Sequence, residues 1–201
     1  LYNNRGKAKF NLQDYQNALP DFDKALELKN NYDKAIENRA ATRFALKDWK
    51  GAVEDFEKMV AAGKNEAELF QKLGTAKFEL KDFKGAAEAL NKVTAKGLRD
   101  KMVFQMLGLS QISLGDCAEG QKNLSAAIGM GSTEKDVFYQ LGTCQFKNKE
   151  YTPAIESLSR AISAGVNEVN AFLMRGHAYF NTKNNDAAAK DYNSALALGA
   201  K

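Results

Sequence analysis

The chain has 201 residues, of which 44% are hydrophobic, 27% charged and 10% aromatic, a composition too apolar for disorder. Its net charge of +4 is too mild to argue for nucleic acid without a concentrated basic patch. No apolar run approaches the ~20 residues that span a bilayer, and no basic-then-apolar leader opens the chain, so membrane insertion is not expected. The chain begins at Leu1, without a Met and already inside a helical pattern. It reads as a piece of a longer protein whose targeting segment, if there is one, lies elsewhere, and its compartment is left open.

A small residue recurs every 34 positions, at Gly6, Ala40, Gly74, Gly108, Gly142 and Gly176. A fixed period of this length predicts stacked supersecondary units with a long binding surface, not one core around one pocket. The expected fold is all-α, an α-solenoid of six helix-turn-helix repeats in a single array over 1–201. The repeats run over about 1–32, 33–66, 67–100, 101–134, 135–168 and 169–201.

In chain order, the first repeat breaks at Asp14 and continues with Ala18, Phe22 and Ala25 at helical spacing; Pro20 lies past the first turn of this second helix, where a small adjustment is expected. The second repeat turns at Asp48, carries Ala52, Phe56 and Met59, and stops at Gly63. The third is the clearest. Its first helix (helix A) places Leu69, Phe70, Leu73, Gly74, Ala76 and Phe78 on helical spacing over Ala67 to Leu80, and breaks at Lys81-Asp82. Its second helix (helix B) runs from Phe83 through Ala86, Ala87, Leu90 and Val93 to Gly97. The fourth repeats this with Asp116, Gly120, Leu124, Ala127 and Gly131. In the fifth the turn residue is Glu150, Pro153 fits the first turn of helix B, and Gly165 closes it. In the sixth the turn residue is Asn184 and the stop is Gly199. Asp and Asn at these turns are expected to cap helix B, and the closing glycines to supply left-handed C-caps.

Cys117 and Cys144 have no paired Cys/His spacing, so no zinc site and no disulfide framework is indicated and both are read as free thiols. His177, the single histidine, has no serine, cysteine or carboxylate partner at motif spacing, and the glycines close helices instead of cradling phosphate. No catalytic residue, metal or cofactor is expected.

The Leu73-Gly74 pair, followed by Phe83, Ala86 and Leu90, resembles the tetratricopeptide repeat pattern, and the resemblance covers six units. It departs from that pattern in two ways. The proline that usually closes a unit is absent, and the aromatic after the Leu-Gly pair is replaced by Lys9, Arg43, Lys77, Gln111 and Gln145, with Tyr179 the exception. Phe10, Phe44, Phe78, Ile112, Phe146 and Phe180 supply bulk one position later, a register that favours packing over ligand stacking. The resemblance implies a right-handed superhelix whose helices A line a concave groove that binds a peptide or helix of a partner protein, without catalysis.

If helix A faces inward, specificity belongs to its varied positions: Lys7, Asn38, Lys72, Met102, Gln105, Met106, Leu109, Tyr139, Thr143, Leu173, Met174 and His177. Methionines there suit irregular apolar anchors. The helix-A segments are each net positive and the remainder of the chain is net negative, so an acidic partner is a second expectation. Arg5, Arg39 and Arg175, however, occupy the Leu position of the motif and point toward packing. The slots of a carboxylate clamp for chaperone tails hold Asn3 and Lys7, Asn38, then Glu68 and Lys72; Glu68 has the wrong sign, which argues against that subclass. Helical repeats that read RNA remain a minor alternative, because the groove positions lack constant basic and amide pairs. The last helix B has no following helix to cover Ala188, Tyr192, Ala195 and Leu196, so association end to end is the other alternative.

Overall fold

The computed structural model describes residues 1–200; the last position of the sixth expected repeat, Lys201, lies outside them. Among the described residues twelve α-helices follow one another: α1 (Tyr2–Asn11), α2 (Tyr15–Leu28), α3 (Asp33–Ala45), α4 (Trp49–Ala61), α5 (Ala67–Glu79), α6 (Phe83–Ala95), α7 (Lys101–Ser113), α8 (Cys117–Gly129), α9 (Lys135–Lys147), α10 (Tyr151–Ser163), α11 (Val169–Asn181) and α12 (Asn185–Ala197). Odd-numbered helices are the predicted helices A and even-numbered ones the helices B. The chain divides into two compact units, one of α1–α6 ending at Leu98 and one of α7–α12 beginning at Arg99. None of the helices among the described residues is long and apolar enough to cross a membrane.

The small-residue registers mark where the two helices of a pair meet. A Cβ on Gly74 would lie 2.7 Å from Cγ and Cδ2 of Leu90, so only glycine lets α5 approach α6 this closely. The helix-B alanines Ala18, Ala52, Ala86 and Ala154 are fully buried, as are Phe22, Leu90, Leu124 and Leu158 four positions after a small residue. In the first three repeats the phenylalanine register is packing, as expected: Phe10, Phe44 and Phe78 meet Tyr15, Trp49 and Phe83 edge to face, 5.1, 5.2 and 5.8 Å between centroids, whereas Phe180 in the sixth is exposed.

Each predicted glycine stop, from Gly63 to Gly199, has a left-handed backbone (φ +81° to +99°). The turn inside each pair is left-handed too, and there glycine is the exception: Gln13, Lys47, Lys81, Lys149 and Lys183 have φ between +58° and +64°, with Gly115 in the fourth pair. The next residue closes a Schellman motif, as when the Asp82 N–H donates to the Lys77 carbonyl at 2.9 Å. Asp48, Asp82, Asp116 and Asn184 then cap helix B through their side chains, accepting from the N–H three residues on. One expected cap is not made: the Asp14 carboxylate takes the Asn17 side chain instead. Glu150, one methylene longer than Asp, makes no cap bond either. α2 runs unbroken through Pro20, whose missing N–H leaves the Gln16 carbonyl without its helical donor.

The cysteines are not free thiols. Cys117, at the start of α8, forms a disulfide with Cys144, fully buried on α9. In the same registers, 27 residues apart, Tyr15 faces the numbering of Thr42, Trp49 that of Ala76, and Tyr151 that of Ala178, always one aromatic with one small residue. The fourth and fifth repeats have two small residues there and a covalent bond in place of the ring.

Candidate protein-interaction site

The arginines in the Leu position are structural, each with an aspartate sixteen residues later on the paired helix B. Arg39 donates from Nε and Nη2 to Asp55 at 2.8 and 2.7 Å, and from Nη1 to Asp23 on α2 at 2.8 Å. Arg175 grips Asp191 by the same two nitrogens, both at 2.7 Å. Arg5 does so with Asp21, which also pairs with Lys9 at 2.8 Å. The Arg5 guanidinium holds the Asp21 carboxyl well below the usual range, at about 2, against the opposing effect of burial. In the third repeat both members change together, to Leu73 and Ala89.

Much of the positive charge read on helix A is therefore engaged by helix B. Arg43 binds Asp55 at 2.9 Å and Lys77 binds Glu57 at 2.7 Å. Lys72 is neutralised on its own helix by Glu68, 2.7 Å away, and that contact lowers the Glu68 pKa. The clamp slot with the wrong sign thus closes on itself.

In the first unit a cavity of about 260 Å³ opens between α3 and α5, over Phe56 and Met59 of α4. Asn38, Ala41, Leu69 and Lys72 line it, with Glu37 and Lys64 paired at 3.0 Å on its edge. Asn38 is oriented by donating Nδ2–H to Oδ1 of Asn3 at 2.9 Å, and buried Asn3 in turn reaches the Tyr32 hydroxyl at 3.4 Å. The expected site residues Asn38 and Lys72 therefore converge on one cavity, while Lys7 is exposed on α1 and does not line it. Leu69, Phe56 and Met59 were not among the expected site residues. Met59 carried a faint signal, being the bulkiest residue of the Ala25, Met59, Val93, Ala127 register.

In the second unit the expected residues separate. Met102 is 47% exposed, whereas Met106, only 6% exposed, is a packing residue; its place in the groove set is corrected. Leu109 leans on the Leu124, Val137 and Leu141 cluster, and Tyr139 on that of Phe138, Ala161, Val166 and Ala171. Burial, and then neighbouring Glu168, push the Tyr139 phenol pKa up. Thr143 donates to the Tyr139 carbonyl at 2.8 Å, and Gln105 accepts from buried Ser132 at 3.1 Å. Leu173 and Met174 are half-buried on α11. His177 is exposed, its ring between Phe146 at 6.3 Å and Tyr192 at 5.4 Å.

Paired antiparallel helices closed by left-handed turns, and stacked through small-residue registers, define a helical-repeat interaction scaffold. Models described as "Tetratricopeptide repeat" match residues 1–32, 106–167 and 169–198, more than half of the sequence, and the chain belongs to this family, whose members are generally non-catalytic scaffolds. Among solved structures it is similar to the protein MamA (24% identity, 78% of this chain and 92% of that one, TM-score 0.64). It is also similar to PilF of Pseudomonas aeruginosa (20% identity, 94% and 86% covered, TM-score 0.63). A third is YrrB, described as a TPR protein with an unusual peptide-binding site (18% identity, 89% and 92% covered, TM-score 0.70). No curated protein sequence matches it.

Proposed function

We propose that this chain is a non-catalytic scaffold that binds a peptide or helix of a partner protein along its helices A, chiefly through apolar anchors. The observation that carries this reading is the α3–α5 cavity, where the Asn38 amide, fixed through Asn3, stands beside the apolar surface of Ala41 and Leu69. An oriented amide can bond an extended backbone whatever its sequence, while the apolar floor takes a side chain. With Lys72 held by Glu68 and Lys64 by Glu37, acidic attraction is secondary to apolar contact. Met102, Leu173 and Met174 extend the same chemistry in the second unit. Affinity capture with the intact protein, comparing wild type with Leu69→Ala/Asn38→Ala and with Leu173→Glu/Met174→Glu, tests this. Loss of the captured partner with unchanged helical circular dichroism is expected, and undiminished capture by both variants refutes it.

A second reading, association of copies end to end, loses two of its expected contacts, since Ala188 and Ala195 are buried against α11, and is favoured instead by Phe180 and Leu196, 62% and 59% exposed on α11 and α12. Its signature is a mass above the monomer in light scattering that Phe180→Lys/Leu196→Lys abolishes; a monomer at high concentration sinks it.

A further inference from the structure

We propose a second docking site, on the helix-B side of the first unit, that takes the aromatic or branched side chain of an amphipathic partner helix. Where the second repeat fills the space between neighbouring helices B with the Arg39 guanidinium, gripped by Asp23 and Asp55, the third has Leu73 and Ala89. A cavity of about 610 Å³ lies at that place, walled by α4, α5 and α6. Phe70, Leu73 and Ala89 form its floor, and Val60 and Ala61 of α4 form one side. These are different positions of α5 from those lining the groove, where Leu69 and Lys72 are used.

The rim specifies the occupant. Glu57 and Lys77 neutralise one another at 2.7 Å. Glu88 and Lys92, both exposed and one turn apart on α6, have no ion-pair partner among the described residues. The Lys92 ammonium instead rests 4.7 Å over the Phe70 ring and must swing aside as a side chain enters. A net-neutral rim disfavours a charged anchor. The matching surface is a helix with a large apolar residue flanked by a basic side chain for Glu88 and an acidic one for Lys92, about one turn apart. Arg39 in the neighbouring repeat shows that this space admits a long side chain.

Two synthetic helical peptides of about 16 residues test the site, each with a central Trp and with Lys and Glu placed in the matching or the exchanged order. They are titrated into the full chain while methyl carbon–proton spectra are recorded. The matching peptide should shift the methyls of Val60, Ala61, Leu73 and Ala89 and bind about tenfold tighter than the exchanged one. Leu73→Arg/Ala89→Asp, which writes the second repeat's plug into the third, should abolish these shifts. Glu88→Lys/Lys92→Glu alters two exposed side chains and should invert the peptide preference. Absent shifts, shifts confined to Ala41 and Leu69 of the groove, or a preference that does not invert would overturn the proposal.

Discussion

Arg175→Leu should be among the most damaging single changes in the second unit, and it should be curable. Asp191 is 4% exposed and both its oxygens accept from Arg175 at 2.7 Å, with no other cation in salt-bridge range among the described residues. Removing the guanidinium leaves a buried carboxylate uncompensated, a loss of about 3–5 kcal/mol. With a urea dependence of about 2 kcal/mol per molar, the unfolding midpoint of α11–α12 should fall by about 2 M. The cure is Arg175→Leu/Asp191→Ala, which reproduces Leu73 and Ala89 of the third repeat. Replacing both partners by apolar groups removes the desolvation cost with the attraction, so the double variant should return to within about 1 kcal/mol of wild type. The assay is urea unfolding followed by circular dichroism, with hydrogen exchange of the α12 amides reporting the local loss. A double variant as unstable as Arg175→Leu would refute the reasoning, because the cost would then lie in packing and not in the orphaned charge.

Two further predictions concern Asp21 and the disulfide. The folded pKa of Asp21, about 2, lies below its unfolded value near 3.8, so its stabilisation is complete above the unfolded value and is lost as pH falls toward 2. The stability gap between wild type and Asp21→Asn should therefore narrow between about pH 4 and pH 2, and a constant gap would contradict the ion-pair account. The Cys117–Cys144 bond closes a loop of sequence separation 27, so reduction should destabilise the second unit by about 3 kcal/mol. Cys117→Tyr/Cys144→Ala, which restores the aromatic and small residues of the sibling repeats, should recover most of that loss and make stability indifferent to reductant. A wild-type midpoint unmoved by reductant, under conditions where alkylation shows both thiols released, would count against a stabilising bond.

The helices, their pairing and their stops were legible because burial imposes the same demand at each 34-residue step, so Gly74 against Leu90 or Ala86 under α5 can be read from register alone. The left-handed turn at Lys47, Lys81 and Lys149 was not, since lysine carries no sign of a positive φ and the strain is borne by the Schellman bonds around it. Met106 and Met102 share a helix and a chemistry, and only the surrounding helices decide that one is buried. The disulfide joins registers 27 apart, an offset invisible until the aromatic-and-small pairs of the other repeats are aligned beside it. The positive charge of helix A was real in the sequence, but a sum cannot show that Arg39, Arg43 and Lys77 face helix-B carboxylates.

Asp21, Asp55 and Asp191, which grip Arg5, Arg39 and Arg175, belong to the same repeat as their arginines, sixteen residues away. A duplication or transplant of one whole repeat carries both members of the pair, and leaves no orphaned charge behind. Contacts that cross from one repeat to the next, among them Arg39 to Asp23, Lys77 to Glu57 and Cys117 to Cys144, obey the opposite rule, since either half alone is useless beside a foreign neighbour. Intra-repeat pairs therefore let such a chain lengthen by copying, while inter-repeat pairs fix the order in which the copies can stand.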